Sequence, residues 1–525
     1  MSNSIGQVFK KINLLTEIGI ALSAEKNFSS LLEQILSGAK KITNADGGTI
    51  YLLNEDKMLE MAVVQTDSLN IHLGGNTNKP ISFKPVELYD EQGKPNLNMV
   101  VTRAALEDKP INIADAYDAK DYDFSGTYEF DKSTGYHSQS FLAVPMKNHE
   151  NDLVGVLQLI NAKSNKTNNI VSFSEEDQKL AESLASLAAV AISNKQLIDN
   201  FNNLFNSLVK LIATAIDEKS THTSGHCKRL PAVTMLLAEA ANASEQDELK
   251  DFSMTKEDRF ELEMAAWLHD CGKLTTPDFV MEKSTKLERI VDRIELVDLR
   301  LTSMVHEAEV EKLTALMNHK DPDEVNKNYQ EKIELYSEVR AFFHLHNEGS
   351  EQMHKEEIAK VHEWANLKWH DSDGIEHKLL TENELENLCI IKGTLTEEER
   401  TIINNHIVAT IKMLDTLPFP KHLQNVPEYA GGHHERVDGK GYPKGLRKDE
   451  MSVQARIMAI ADVFEALTAQ DRPYKAPMKL SKVVSILKKM SETGHIDPVL
   501  FDVFIDGKVH LNYAKEFLPA EQNDL

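Results

Sequence analysis

The sequence predicts a multidomain chain, with a mixed α/β (α+β) first part around a central antiparallel sheet and a helical remainder. Three observations carry this. At 525 residues the chain exceeds one ordinary domain, so two or three separate cores are expected. Strand-like apolar runs, GTIYLL with MLEMAVV and QSFLAVPM with LVGVLQLINAK, all end by Lys163. Beyond them apolar residues recur at helical spacing, from a seam that begins at Leu180 to the helices around His269 and Asp462.

Composition narrows the function classes. A formal net charge of -25 argues against non-specific binding to nucleic acid or to an anionic membrane. A phosphate-bearing substrate would have to be drawn in locally, by metal ions and a few basic side chains. Cys227, Cys271 and Cys389 lack CxxC spacing, which predicts reduced thiols in a cytoplasmic protein. The first residues, MSNSIGQVFKKINLLTEIGIAL, have neither the apolar core nor the cleavage site of a signal peptide. No stretch approaches the roughly 18 apolar residues of a membrane span. The expectation is a soluble protein without nucleic-acid or membrane partners.

Residues 1 to 42 read as two helices, with Ile12, Leu15, Ile18 and Leu22 at helical spacing. Asp46-Gly47-Gly48 reads as a turn, and Asn54 to Lys57 as the connection of a strand pair. A helix from Asn98 to Leu106, a polar loop from Asp115 to Gly135 and the two later strands follow. This order of helix, hairpin, helix, strands and long closing helix resembles a GAF domain over residues 10–195. LINAK followed by FSEED resembles the short signature of GAF domains in cyclic-nucleotide phosphodiesterases. It matches at Asn161, Phe173 and Asp177, with Ala162 where a lysine is expected. The alternative role for these residues is to fix a strand-to-helix corner. No cysteine precedes Cys227, so no bilin can be thioether-linked here. His72, His137 and His149 are either haem ligands or ordinary residues, and the sensor ligand is unknown.

From Leu180 a 4-3 alternation runs through Leu184, Leu187, Ala191, Asn194, Ile198, Phe201, Phe205, Leu208 and Ile212 to Ala215. Such heptads suit a coiled-coil seam, with Asn194 fixing register. Residues 180–216 are read as a connecting helix of a parallel homodimer, against one amphipathic helix lying on its own domain.

The chemistry-bearing strings come next. IATAIDEKSTHTSGHCKRL holds His222 and His226 four apart. AAWLHDCGK ends an apolar helix with His269, Asp270 and Lys273. A capping threonine and early acids, TEEE from Thr396, open the helix that presents His406. GHHERVDGKGYP follows, with His433 and His434 adjacent, and Asp462 sits in the apolar helix ARIMAIADVFEAL. Adjacent helical histidines point about 100° apart, so both face one centre only if it is wide or holds two ions. Read singly, His269 and Asp270 could be a helix-end ion pair, His433 and His434 a polar loop, and Lys273 a surface residue.

In this order the strings resemble the HD-GYP family of metal-dependent phosphodiesterases. The resemblance implies that residues 217–525 form an all-α HD-type helical domain. His269 and His406 lie 137 positions apart, which marks 283–392 as a helical insertion, for regulation, dimer contact or a lid. Six histidines (His344, His346, His354, His362, His370 and His377) crowd its second half without zinc-site spacing. The family implies His226, His269, Asp270, His406, His433, His434 and Asp462 as metal ligands, with Asp270 bridging. His222 is either the ligand of a third ion or a solvated helix-end residue. Two or three divalent ions, iron or manganese, are implied. Lys273 would reach the substrate phosphate beside Asp270, Arg472 and Lys475 would contact guanine, and Gly441 and Tyr442 would shape the pocket wall. The implied activity is hydrolysis of cyclic di-GMP to pGpG and onward to GMP. The rivals are a 3′3′-cyclic GMP-AMP phosphodiesterase and a catalytically silent adaptor with signalling-protein partners. Two metal ions about 3.5–4 Å apart suit such chemistry, because they lower the pKa of water and offset charge on the phosphate.

Overall fold

The computed structural model describes residues 2–25, 27–77, 79–219, 225–349, 352–469 and 477–525, with side chains from residue 11 onward. The chain divides into two compact units, Met1–Leu204 and Phe205–Leu525.

In the first unit, α1 (Ser2–Ala24) and α2 (Phe28–Thr43) precede β1 (Ala45–Leu53), β2 (Met58–Thr66), β3 (Ile71–Gly74) and β4 (Val86–Glu87). Then come α3 (Val100–Glu107), β5 (Ile111–Ile113), α4 (Ser125–Thr134), β6 (Phe141–Lys147), β7 (Leu153–Lys163) and β8 (Ile170–Val171), before α5 (Glu175–Lys219). The sheet runs β3-β2-β1-β7-β6-β5, with β4 on β2 and β8 on β7. Every pairing is antiparallel. Alternate side chains separate two cores, as strand geometry requires. Ile50, Leu142, Val144, Leu157 and Leu159 pack with α2 and the start of α5. Tyr51, Phe141, Ala143 and Val156 pack with α3.

Two expectations change here. The glycines of Asp46-Gly47-Gly48 lie within β1 rather than in a turn. A Cβ on Gly48 would stand 2.8 Å from the Gln158 carbonyl oxygen and from a Leu36 methyl, so this strand needs glycine for close approach. The polar loop from Asp115 contains α4, which buries only Asp131 and so shows no apolar period. The expected seam of α5 is divided between packed and exposed positions. Leu184 is buried in its own unit and Leu180 and Ala191 pack beside it, while Phe205 packs on the second core. Leu187, Ile198, Phe201, Leu208 and Ile212 of the seam are exposed, with Val190, Leu197, Leu204 and Leu211 exposed beside them.

Asn161 holds a strand corner. At φ 58° its Oδ1 accepts from the Gln139 and Ser140 amides at 2.8 and 3.2 Å, and its Nδ2 donates to the His137 carbonyl at 2.8 Å. Asp177 accepts from the Ser174 hydroxyl at 2.7 Å at the start of α5. His72 lies beside Glu33 and Gln65, and His137 against Tyr117.

The second unit is built on α6 (His226–Asn242), α7 (Lys256–Leu268) and a short α8 (Asp278–Met281). A separate cluster follows: α9 (Ile294–Met317), α10 (Pro322–Asn347), α11 (Lys355–Trp364), the hairpin β9 (Lys368–His370) and β10 (Glu376–Lys378), and α12 (Glu382–Leu388). Thus the segment holds a β-hairpin besides its helices. It has its own core of Leu287, Val297, Leu301, Val339, Phe343, Val361, Trp364 and Leu379. Where it joins the rest, the buried Lys283 ammonium donates to Asn387 and Glu399 at 2.6 Å each, and Thr394 donates to the Lys283 carbonyl at 3.0 Å. Its histidines do not gather: His344 pairs with Asp298, His370 with Glu307 and His377 with Asp371.

The chain then returns through α13 (Glu397–Asn404), α14 (His406–Asp415), α15 (Val426–Gly431), α16 (Val453–Thr468), α17 (Leu480–Glu492), α18 (Pro498–Asp506) and α19 (Val509–Phe517). One core joins α6, α7 and α16 to α17–α19 through Leu230, Leu237, Leu262, Ile460, Phe464, Leu500, Phe504 and Tyr513. Among the described residues no helix is long and apolar enough to cross a membrane.

Gly272 sets how closely the His-Asp turn seats on α14. Its amide donates to Thr410 Oγ1 at 2.8 Å, and a Cβ there would collide with the His406 carbonyl oxygen. Gly272→Ala is therefore expected to cost about 1–3 kcal/mol of stability in urea unfolding, as overpacking does.

Candidate metal centre

Four buried histidines reach one centre from helix ends, where backbone groups are free to orient them. His226 opens α6 behind Gly225, whose φ is +80°. His269 ends α7, His406 opens α14, and His433 follows α15 beside His434. Asp462 projects from α16.

Hydrogen bonds to Nδ1 fix which way these rings point. His269 Nδ1 donates to the Ala266 carbonyl at 2.8 Å, His406 to Ile403 at 2.5 Å and His433 to Ala430 at 2.5 Å. Each partner is the carbonyl three residues earlier. His226 Nδ1 meets the buried Glu465 carboxylate, which also accepts from Arg229 Nε at 2.6 Å. With Nδ1 donating, Nε2 carries the lone pair in a neutral ring, the usual preparation of a metal-binding histidine.

These Nε2 atoms converge on Asp270. Oδ2 of Asp270 lies 3.1 Å from His269 and 3.8 Å from His226. Oδ1 lies 3.1 Å from His406 and 3.9 Å from His433. His434 Nε2 stands 3.2 Å from His406 Nε2, and Asp462 Oδ1 stands 3.4 Å from His226 Nε2. Two groups result, Asp270 with His406, His433 and His434, and Asp270 with His226 and His269. Within each, candidate ligand atoms all lie within 4.8 Å of one another.

The donor set fits divalent ions. Asp270 Oδ1 and His433 Nε2 are buried without a hydrogen-bond partner, a costly state that an ion relieves. His226 and His269 bring Nε2 atoms within 3.1 Å, so two lone pairs would repel unless a proton or metal ion stands between them. Burial opposes charge on His226, yet hydrogen bonds to Asp462 and Glu465 hold its pKa up to about 10. Burial lowers His434 to about 4 and His433 well below the ordinary value of 6.5. Against burial, the charges of His269 and Lys273 hold Asp270 well below the usual carboxylate range. The Lys273 ammonium lies 2.5 Å from Asp270 Oδ2, so it braces that carboxylate directly.

A cavity of about 420 Å³ opens on this centre, lined by His433, His434, Asp462, Gly441, Tyr442 and neighbouring residues. The Tyr442 ring stacks on His434 at 4.8 Å. A Cβ on Gly441 would collide with the backbone of Glu435 and Arg436, so the loop closes only over glycine. His222, Arg472 and Lys475 lie outside the described residues. Two contributors were given no role by sequence reasoning. Glu465 orients His226 and shares the α16 face with Asp462 three residues earlier, a spacing that could have signalled it. Glu435 accepts from the Lys444 and Leu446 amides at 2.7 and 2.9 Å and shapes the loop that holds the doublet.

Residues 27–192 match the GAF domain family and residues 381–500 the HD domain family. The chain carries a GAF domain and an HD domain. The HD match contains His406, His433, His434 and Asp462, while His226, His269 and Asp270 precede it. Over 132 residues the chain is 38% identical to the 3′3′-cGAMP-specific phosphodiesterase 1 of Vibrio cholerae, covering 25% of this chain and 30% of that protein. It is 35% identical over 147 residues to a probable cyclic di-GMP phosphodiesterase of the same organism, covering 26% of this chain and 32% of that protein. These matches span about a third of those relatives' length. Among solved structures, the GAF domain of a Coxiella burnetii phosphoenolpyruvate-protein phosphotransferase aligns at 16% identity and a TM-score of 0.28. It covers 36% of this chain and 96% of that chain.

Two outcomes are expected. Glu465→Gln should weaken metal affinity about 10–100-fold in a metal-buffered titration, since it removes the carboxylate behind a ligand histidine. Chelator-treated protein should melt highest near pH 6.5. Below 6.5 the unfolded chain takes up protons that folded His434 refuses until about pH 4, so stability falls with acid. Above 6.5 folded His226 keeps a proton until about pH 10 that the unfolded chain releases, so stability falls with base. Thermal melts from pH 4 to 10 check both limbs, and His226→Ala should flatten the alkaline one.

Proposed function

We propose that the chain is a metal-dependent phosphodiesterase of the cytoplasm that hydrolyses a 3′,5′-linked cyclic dinucleotide, cyclic di-GMP foremost. 3′3′-Cyclic GMP-AMP is the alternative substrate, since relatives named for each match part of this chain. One observation carries the reading: Asp270 turns one oxygen to His226 and His269 and the other to His406 and His433, beside a cavity of nucleotide size. His226, His269, Asp462 and Asp270 would hold one ion, and Asp270, His406, His433 and His434 a second, iron or manganese. When bound, the ions supply a nucleophile from water near neutral pH and positive charge against the phosphate.

The chain's residues do the positioning. In the reaction a water oxygen bonds to phosphorus, the bond from phosphorus to the 3′ oxygen breaks, and that oxygen takes a proton. The ring opens to linear pGpG, and a second cut gives GMP. Lys273 keeps the shared carboxylate ionised and in place. Tyr442, seated on His434 over Gly441, walls the cavity. His222 as ligand of a third ion, and Arg472 and Lys475 as guanine contacts, belong to this proposal on the strength of family resemblance.

Residues 10–195 would sense an unidentified ligand, with 217–525 as the phosphodiesterase domain and 283–392 as an insertion within it. Two copies would pair through the GAF domain and helix 180–216. Leu187, Ile198, Phe201, Leu208 and Ile212 of the 4-3 seam are exposed, flanked by exposed Val190, Leu197, Leu204 and Leu211, an apolar face that supports pairing.

Turnover of both dinucleotides after anaerobic iron or manganese loading, with bound metal counted per chain, tests the activity. The expected result is two or more ions per chain and release of the linear dinucleotide, with kcat/KM naming the preferred ring. A fully loaded protein inert to both would sink the reading. Asp270→Asn should remove turnover and lower the metal count, as seen by elemental analysis. Analytical ultracentrifugation at micromolar concentration is expected to show a dimer that Leu197→Glu with Leu204→Glu converts to monomer.

A further inference from the structure

The cavity has a lining residue that the proposed chemistry leaves unused. His495 stands on the turn between α17 and α18 and lines the cavity together with Asp462 and the His433/His434 doublet. This turn is tightly built. Gly494 takes φ +70°, which lets the His495 amide reach the Met490 carbonyl at 2.9 Å and close the end of α17. The Gly494 carbonyl accepts from the Asp438 amide at 3.0 Å, tying the turn to the loop that carries the doublet. Two residues on, buried Asp497 caps α18 through the Val499 amide at 2.9 Å and pairs with Arg456 and with Lys448 at 3.3 Å. The backbone around His495 is therefore held from several directions.

Its side chain differs from the charged groups around it. Arg436 is spent on Asp438 through two contacts of 3.1 and 2.8 Å, and Lys440 lies 3.7 Å from the same carboxylate. Glu435 is taken by two backbone amides. Among the described residues, the half-buried His495 ring has no hydrogen bond or ion pair. Burial foremost, then the charge of Arg436, lowers its pKa from the ordinary value of 6.5, so at pH 7 the ring is neutral. A neutral imidazole offers one donor and one acceptor. Beside it α16 contributes Ala459, Val463, Ala466 and Leu467, an apolar wall. An apolar wall with a donor–acceptor group beside it suits the face and edge of a heteroaromatic base, whereas a phosphate would call for a cation.

We infer that His495 is a specificity-determining residue that hydrogen-bonds the edge of a substrate nucleobase lying against α16. This rests on the cyclic-dinucleotide reading above, and the test separates the two. Full-length, metal-loaded wild type, His495→Ala and His495→Gln are compared on cyclic di-GMP and on bis(p-nitrophenyl) phosphate, a diester without a base. For His495→Ala the ratio of kcat/KM between the two substrates should fall roughly tenfold, mainly through KM for the dinucleotide. His495→Gln, which keeps a donor and an acceptor, should recover part of it. An unchanged ratio in His495→Ala, or equal losses on both substrates, overturns the inference. A wild-type protein that neither binds nor cleaves any cyclic dinucleotide ends the parent reading and this one with it, a result visible before any variant is made.

Discussion

A single buried carboxylate governs the second unit. Asp270 is almost fully enclosed, and an isolated anion at such a site costs several kcal/mol after relaxation. The fold answers with His269, His226, His406 and Lys273 around its two oxygens. That answer is incomplete, because the rings present lone pairs as well as protons and Oδ1 keeps no hydrogen-bond partner. The arrangement is thus balanced for additional positive charge at the centre. In a chain of net charge -25, that demand is met at one point rather than by a basic surface.

Bringing ligands together from segments as distant as α6 and α16 needs rigid delivery. The histidines sit at helix ends, where the local backbone can supply a carbonyl to Nδ1. Three of them use the residue three positions earlier, so each of these rings is oriented by its own local backbone. His226, at the start of α6, meets Glu465 of α16 instead. The core of α6, α7 and α16 therefore fixes the relative placement of the rings.

Much of this was legible in the residues. The central strand runs of the first unit are nearly continuous apolar stretches buried on both faces, and β1 with β2 and β6 with β7 fall where those runs place them. The helix α4 was not legible because its ten residues bury a lone aspartate. Glycines at Asp46-Gly47-Gly48 read locally as a turn, yet tertiary crowding made them strand residues. In the second unit, His269 and Asp270 stand out as a His-Asp pair and His433 and His434 as a doublet. Glu465 and Glu435 did not, since an acid in an apolar helix and an acid in a polar loop look alike until burial is known. Of the α5 seam, Leu180, Leu184, Ala191 and Phe205 are taken by cores along the helix while Leu187, Ile198, Phe201, Leu208 and Ile212 stay exposed, because sequence periodicity cannot say which positions the chain's own cores use.

The join at Lys283 bears on how such a chain can change over time. Its ammonium and carbonyl clasp Glu399, Asn387 and Thr394, so departure and return of the backbone lie side by side although more than a hundred residues intervene. What hangs beyond that clasp has its own interior, and closing a longer loop costs only slowly rising entropy. Lineages could therefore trim, lengthen or exchange this appendage without disturbing the imidazoles behind it.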